Sequence, residues 1–446
     1  MVFASFLVSC RCLGPARKPS AARQKTVFHV PAGLLSVFLP VMAVAQGNVW
    51  TLESAIQRAV EIAPEMRVAE AEVETREGEL TQAGNFPNPT VEARADDKLG
   101  MEDGRGGTDL TQLALSQPLP LRRLARQRAA AEASLESARA NRRYQRLLLE
   151  REVARAFHAL QLTTAKQRLA EERLQLQLGA EYPNGARQGK GDRLVRYLTP
   201  LDRRRLAILR EEANQAVIAA EREQQKAIIE FRALLGLSAD AQSESAELSA
   251  PMTTAELEVL TRGLDNHPAL VAARQELEAA RAGIAVAESQ RFADPALNLF
   301  RERDVLADGR RNVTGIGVSV QVPLWNANRG PVDKAKADAA VAQARLDAAG
   351  RDARSRLAQA HAQLQRLLVQ TERLRTNLLD PAREVFDLTR RGFAAGESNI
   401  LSLVDAYSTY FDARARYLEL QQESALAAAD LRLAIGRSVL SGEAQP

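Results

Sequence analysis

Histidines and cysteines are the side chains in this chain best suited to bind or react. His158 and His361 lie 203 residues apart, each inside a long stretch of helix-forming residues. Imidazoles ligate metal best when Cys, carboxylate or a second His stands at helical or CxxC-type spacing. No Cys, paired Met or His-x-x-x-His pattern accompanies either residue, so packing rather than ligation is expected at both. His267 precedes Pro268, a helix-start position, and reads as structural. Cys10 and Cys12 are the only cysteines, and both precede residue 46. The chain after residue 45 therefore has no disulfide, thiol nucleophile or thiolate ligand. There is no phosphate-binding Gly loop opening a helix, no nucleophile elbow and no metal-ligand cluster. No catalytic, cofactor or metal site is expected, and no enzymatic turnover.

The elements that would position such residues are mostly rods. Leu121 to Leu178 contains neither Gly nor Pro and is rich in strong helix formers. As one helix of about 58 residues it would be about 87 Å long. Such a rod needs partners along its length. A second uninterrupted stretch runs from Leu201 to Leu235 and ends at Gly236.

The net charge of +4 is misleading. Five of the 60 basic residues and none of the 56 acidic ones lie in residues 1–45, leaving 55 against 56. Arg and Lys alternate with Glu and Asp along the rods, as on solvated helix faces. No basic platform with aromatic residues appears, so no nucleic-acid partner is expected. Residues 1–45 read as a signal peptide. A basic stretch ends at Lys25, an apolar stretch follows to Val44, and Ala43-Val44-Ala45 fits a small-x-small cleavage site. The long basic region places the true start downstream of Met1 as an open alternative. Beyond residue 45 no apolar run approaches the roughly 18 residues of a spanning helix, so any membrane entry must use strands.

Period-2 segments flank loops at two places. Strands are expected at about 90–98 and 108–118, and again at about 296–304 and 312–322, with Val305 to Arg311 as a polar loop. The second pair repeats the first. Phe292-Ala293-Asp294-Pro295 answers Phe86-Pro87-Asn88-Pro89; Pro323 answers Pro120; Gly396 answers Gly189; Gly436 answers Gly236. The expectation is a duplication of about 200 residues, with repeats at 46–250 and 251–446. Gly189 to Gly236 spans seven residues more than Gly396 to Gly436. The surplus falls around Arg196 to Pro200, so the first helical hairpin should be longer, or kinked at Pro200. From Leu401 a 3-4 seam runs through Val404, Ser408, Phe411, Ala415 and Leu418, beside a stripe of Leu403, Tyr407, Tyr410 and Tyr417. Two seams on one helix allow neighbours on both sides.

Each half thus reads helix, hairpin, long helix, helix. Four strands cannot close a barrel, and open edges cannot sit in lipid. Copies must pool strands, and three chains would supply twelve. A periplasmic coiled-coil adaptor carries one hairpin flanked by Gly-rich β domains, and a soluble scaffold has no use for the alternating strands. The adaptor does not account for the duplicated hairpin, nor the scaffold for strands that end at Pro120 and Pro323.

Here the chain resembles the TolC family of outer-membrane efflux channels, close to its heavy-metal (cobalt-zinc-cadmium, CzcC-like) branch. The resemblance runs from about Trp50 to Val439. It is carried by Thr51-Leu52-Glu53-Ser54-Ala55, Gln82-Ala83-Gly84-Asn85-Phe86-Pro87-Asn88-Pro89, Leu115-Ser116-Gln117-Pro118, Val318-Ser319-Val320-Gln321-Val322-Pro323-Leu324-Trp325-Asn326 and Gly392-Phe393-Ala394-Ala395-Gly396-Glu397-Ser398. It implies a homotrimer with a twelve-stranded barrel in outer-membrane lipid, continued by a periplasmic helical tube. It also implies docking to a periplasmic adaptor (membrane fusion) protein and an inner-membrane pump of the RND type, driven by proton flux. The implied cargo is divalent heavy-metal cations, with multidrug or type I secretion ducts sharing the fold. By the same resemblance, the periplasmic gate falls at Phe393, Ser398, Ser402 and Asp405. Only Asp405 keeps the family's residue type; Phe393 lacks a hydroxyl, and Ser398 and Ser402 lack charge. Two readings of Asp405 stand side by side: an acidic ring favouring cations, or an exposed helix-surface aspartate.

Overall fold

The computed structural model describes residues 49–96, 110–120, 122–181, 199–241, 248, 256–306 and 309–440. The leader and Gly189 lie outside them. The chain opens with α1 (Leu52–Ile62) and α2 (Pro64–Ala83). Thr51 caps α1 reciprocally with Ser54: the Thr51 hydroxyl accepts the Ser54 N–H, and the Ser54 hydroxyl accepts the Thr51 N–H, both at 3.1 Å. Pro64 takes the first position of α2, where its missing N–H removes no helical bond. Then come β1 (Thr90–Asp96), β2 (Leu110–Pro118), α3 (Arg123–Glu181) and α4 (Pro200–Leu234).

The same order follows again. A short α5 (Leu257–Arg262) and a 3-10 turn (Leu264–Asn266) lead to α6 (Pro268–Ser289), β3 (Ala296–Leu306) and β4 (Gly309–Ser319). After them come α7 (Arg329–Leu374), a π-helical turn (Arg375–Leu379), α8 (Asp380–Ala395) and α9 (Ile400–Ala434).

The rods differ from expectation in detail. The long helix α3 has 59 residues and runs through Gly179 to Glu181 rather than stopping at Leu178. One Gly weakens a helix by only about 1 kcal/mol, too little to end a rod by itself. Pro200 opens α4 and does not kink it; α4 and α9 both have 35 residues. Of the stretch Arg196 to Pro200, where the surplus is expected, residues 196–198 lie outside the described residues. The π turn has no counterpart in α3. It directly precedes Asp380-Pro381, and a proline ring clashes with the carbonyl four residues back in a regular α-helix. Widening the preceding turn displaces that carbonyl.

Three apolar clusters hold the rods together. The first joins α1, α3 and α4 through Ile56, Val153, Leu160, Phe231 and Leu235, all at most 1% exposed, and takes in Val439. A second joins Leu270, Leu357, Leu364 and Leu431 from α6, α7 and α9. The third is aromatic: Phe386, Tyr407 and Phe411 pack with Leu169 of α3 and Leu206 of α4. Phe386 stacks on Tyr410 at 5.0 Å and meets Tyr407 edge-on at 4.9 Å. Helix α9 therefore does have neighbours on both sides, α3 and α7–α8. The proposed seams are redistributed, however. Leu401 is exposed and Val404 and Ser408 are half-buried, while Leu403, Tyr407 and Phe411 form the buried stripe.

Charges on the rods are less solvated than their alternation suggests. Arg151–Asp430 (2.5 Å), Lys166–Glu419 (2.6 Å) and Arg414–Glu172 (2.5 Å) cross from α3 to α9 in one antiparallel register. All are partly exposed, so each contributes at most about 1 kcal/mol. Together they set the register of the two rods.

Tight closures recur 200 residues apart. Gly236 and Gly436 both follow a helix with positive φ, +58° and +73°. A Cβ on Gly236 would sit 2.7 Å from Ile62 Cδ1, and one on Gly436 2.7 Å from Pro268 Cδ. Each glycine thus packs against the helix break of its own half.

Candidate channel wall and gate

The strands form one antiparallel sheet in the order β1-β2-β3-β4. The expected strands are found, with shifted ends. β1 is described to Asp96 and β2 from Leu110, so residues 97–98 and 108–109 lie outside the described residues. β3 extends to Leu306 and β4 starts at Gly309, so strand pairing, with Leu306 opposite Gly309, takes up most of the expected polar loop. Cross-strand pairing continued through residues whose side chains signalled a loop. At the other end β4 stops at Ser319, not Val322, because its partner strand begins at Ala296 and offers nothing beyond.

The register sorts the side chains onto two faces. One face carries the row Val91–Leu115–Leu299–Ile316, flanked by Gln117–Leu297–Val318 and by Ala93–Leu113–Arg301–Thr314, so it is apolar toward the helices and turns polar toward the hairpin. The other carries Thr90–Ser116–Asn298–Gly317, Glu92–Ala114–Phe300–Gly315 and Arg94–Gln112–Glu302–Val313. The apolar face is the exposed one. Ile316 is 75% exposed and Val318 69%, whereas Gln112, Ala114, Asn298, Phe300 and Glu302 are half-buried. A soluble sheet does the reverse. Where the sheet meets the helices, Phe86, Phe292, Leu324 and Trp325 are exposed, Trp325 at 94%. Arg123, the first residue of α3, pairs with Asp294 at 3.0 Å at this junction, and the Leu119 N–H donates to the Pro295 carbonyl at 2.7 Å. Pro120 is buried there and Pro323 half-buried.

At the far end of the rods, α8 turns into α9. Gly396 has φ +82°; the Glu397 N–H donates to the Gly392 carbonyl at 2.8 Å and the Gly396 N–H to the Phe393 carbonyl at 3.0 Å. This is the Schellman closure that a glycine past a helix end permits. Phe393 packs at the edge of the aromatic cluster. Ser398 lies in the turn, its hydroxyl 2.5 Å from where a Gly392 Cβ would be. Ser402 serves the cap of α9: its N–H (2.8 Å) and hydroxyl (3.0 Å) both donate to Asn399 Oδ1. Asp405 is exposed one turn further on and makes no ion pair among the described residues. The four residues thus share one tip. The sequence pattern missed its strongest packing signal, Phe386 with Tyr407 and Phe411, because cross-helix aromatic contacts have no local period.

Comparison with known proteins decides the family. A family profile described as "Outer membrane efflux protein" matches residues 55–182 and 259–437. The chain belongs to the outer membrane efflux protein family. Its function is that of an outer-membrane efflux channel. It is 28% identical over 429 residues to the cobalt-zinc-cadmium resistance protein CzcC of Cupriavidus metallidurans, covering 92% of this chain and 99% of that protein. It is 26% identical to the nickel-cobalt-cadmium resistance protein NccC of Alcaligenes xylosoxydans xylosoxydans, over 75% of each chain. The solved structure of CusC superposes with a TM-score of 0.67 at 18% identity, over 89% of this chain and 96% of that one.

Among the described histidines of this efflux protein, His361 and His267 lie in contacts between helices. His361 is 6% exposed on the core face of α7, between Leu357 and Leu364, as Phe157 is on α3 between Val153 and Leu160. His158 is half-buried, its Nδ1 2.8 Å from Gln161 Oε1. His267 Nδ1 accepts the Ala269 N–H at 3.2 Å, and its Nε2 lies 3.1 Å from the Leu433 carbonyl, which makes it the Nε2–H tautomer joining α6 to α9. Among the described residues, no three His, Cys, Asp or Glu side chains gather as a metal site, and no helix is long and apolar enough to cross a membrane.

Burial lowers the His267 pKa, as it does that of His158; the Leu433 carbonyl opposes the shift at His267 and Arg356 adds to it. The folded pKa then lies below the unfolded value of about 6.5, so the unfolded chain takes up the proton first. Stability is expected to fall as pH drops below about 6.5 and to level off once the folded pKa is passed. His267→Gln should make that decline shallower, read as the denaturant midpoint between about pH 7.5 and about pH 5.5. An unchanged slope would remove His267 from the acid response.

Proposed function

We propose that this protein is the passive outer-membrane duct of a tripartite efflux system, a homotrimer that carries divalent heavy-metal cations across the periplasm and outer membrane. The observation that carries it is the sheet. It is mostly apolar and exposed on one face, polar and half-buried along its two central strands on the other, and open at both edges. Lipid outside and water inside satisfy the two faces. Pairing β4 of one copy with β1 of the next satisfies the edges, and three copies close a twelve-stranded barrel. The aromatic residues at the helix end of the sheet suit a membrane interface. The rods then form the periplasmic tube, which docks to an adaptor and an inner-membrane RND pump. The pump supplies the energy, and the channel performs no chemistry of its own.

In this reading residues 1–45 are a signal peptide, and 46–250 and 251–446 are repeats of one unit. Three recurrences support the repeats: the Pro64 and Pro268 helix starts, the Gly236 and Gly436 closures, and one contact with its polarity reversed. Arg139 of α3 reaches Glu77 of α2 at 2.9 Å, and Arg281 of α6 reaches Gln343 of α7 at 3.3 Å. Pro120, Gly189, Pro323 and Gly396 are the matching landmarks. Phe393, Ser398, Ser402 and Asp405 form the tip that gates the tube. The metal cargo rests on the kinship with CzcC and NccC.

Single-channel recording in planar bilayers tests this. Discrete openings with a cation preference are expected, and Asp405→Ala should reduce that preference several-fold by removing three charges at one level. Openings unchanged in the mutant would take Asp405 out of the gate and leave the duct. Full solubility without detergent, with a monomeric mass, would overturn the channel itself.

A further inference from the structure

Phe300 is the one aromatic side chain among the described strand residues, and it stands on the polar face. Its cross-strand neighbours are Ala114 and Gly315. A Cβ on Gly315 would lie 2.4 Å from Phe300 Cζ and 2.8 and 2.9 Å from its two Cε atoms. The ring therefore lies across the glycine, flat on the sheet, as an aromatic side chain covers a strand glycine. Gly317, two residues along the same face, has nothing nearer than Asn298 Cβ at 4.0 Å. Around the ring the face is mostly charged or amide-bearing, with Glu92, Arg94, Gln112 and Glu302, and Val313 is its one large apolar neighbour.

We propose that Gly315 and Phe300 together set the bore of the channel. The inference rests on reading the sheet as the barrel wall. The glycine is a berth that holds an apolar ring against the wall at a level where three copies bring three rings. Any side chain at 315 evicts the ring. Turned inward, three rings form an apolar constriction in a passage lined mainly by polar groups, and such a constriction hinders hydrated cargo. Phe300 and Gly315 are thus specificity-determining positions, selected by size and hydration rather than by ligation.

The test places a unique thiol one row nearer the helices, Asn298→Cys, in a Cys10→Ser, Cys12→Ser background. A graded series of membrane-impermeant maleimides is applied to intact cells from outside, and trimer assembly is followed by heat-dependent gel migration. The largest reagent that labels defines the bore. Adding Gly315→Val is expected to slow the bulkiest of these reagents about tenfold or more while the smallest is unaffected. Adding Phe300→Ala to that variant should restore the original limit. Gly315→Ala, a smaller perturbation, should give an intermediate result if Gly315→Val assembles poorly. An unchanged size limit in assembled Gly315 variants, or no restoration by Phe300→Ala, overturns the proposal. If Asn298→Cys resists every impermeant reagent but reacts with a lipid-soluble one, the polar face is not the lumen, and the barrel-wall reading falls with it.

Discussion

Leu299→Arg is expected to block stable insertion, whereas Asn298→Arg, its neighbour on β3, is expected to assemble normally. Leu299 lies in a wholly apolar row, between Leu115 and Ile316, with Leu297–Val318 in the row nearer the helices and Arg301–Thr314 in the row nearer the hairpin. In the proposed trimeric barrel an Arg on the lipid face costs up to about 2–4 kcal/mol per chain at mid-bilayer, three times over. Asn298 points to the opposite face beside Ser116 and Gly317, where the same charge meets water. The losses there are one side-chain bond, Asn298 Nδ2 to Ser319 Oγ at 3.1 Å, and a change in lumen charge. Membrane-associated, heat-modifiable trimer is the quantity to measure. Equal tolerance of both substitutions would mean that the exposed apolar face does not meet lipid. Equal intolerance would mean that both faces are packed.

Arg146→Ala is expected to destabilise the helical body by about 2–3 kcal/mol although Arg146 is half-exposed. Its partner decides this. Glu150 is fully buried; Arg146 Nε meets one carboxylate oxygen at 3.0 Å, and the Val439 N–H meets the other at 3.0 Å. The Val439 carbonyl in turn accepts from Arg432. Removing Arg146 leaves a carboxylate in the core next to Leu149 and Val153 without its cation. Glu150→Gln should be milder than Arg146→Ala, because the amide oxygen still accepts from Val439 and no charge is buried. The double variant Arg146→Ala, Glu150→Gln should be close to Glu150→Gln alone. Denaturant midpoints of the four proteins make a double-mutant cycle. Strict additivity would show that the two side chains do not act as a pair. Glu150 also explains why the chain is held as far as Val439: one buried acid on α3 fastens the segment after α9 to the first half.

Much of this architecture is legible in the residues themselves. The rods are visible because helix formers run for tens of residues without Gly or Pro, and such a run has few other low-energy conformations. The helix breaks at Pro64 and Pro268 are legible because proline's missing N–H confines it to a first turn. Period-2 alternation located all four strands, and the recurrence of Phe-x-x-Pro and of Pro120 in Pro323 is what suggests two copies of one unit. Those signals are local. They depend on backbone sterics and on which side of one element is apolar.

What lay between elements was decided only by tertiary structure. Pairing partners, not side-chain polarity, carried β3 to Leu306 and ended β4 at Ser319. The buried stripe of α9 settled on Leu403, Tyr407 and Phe411 because Phe386 of α8 and Leu169 of α3 stand opposite. Glu150 looks like any other acid on a solvated rod until Val439, 289 residues away, donates to it. Ser402 reads as a charge lost from a gate, and its place in the chain makes it part of a helix cap. Gly315 reads as one small residue in an alternating strand; only the ring of Phe300 lying across it gives it a function. Sequence spacing specifies a face and a period. Which groups meet across that face depends on register and on the packing of distant segments, and neither leaves a local trace.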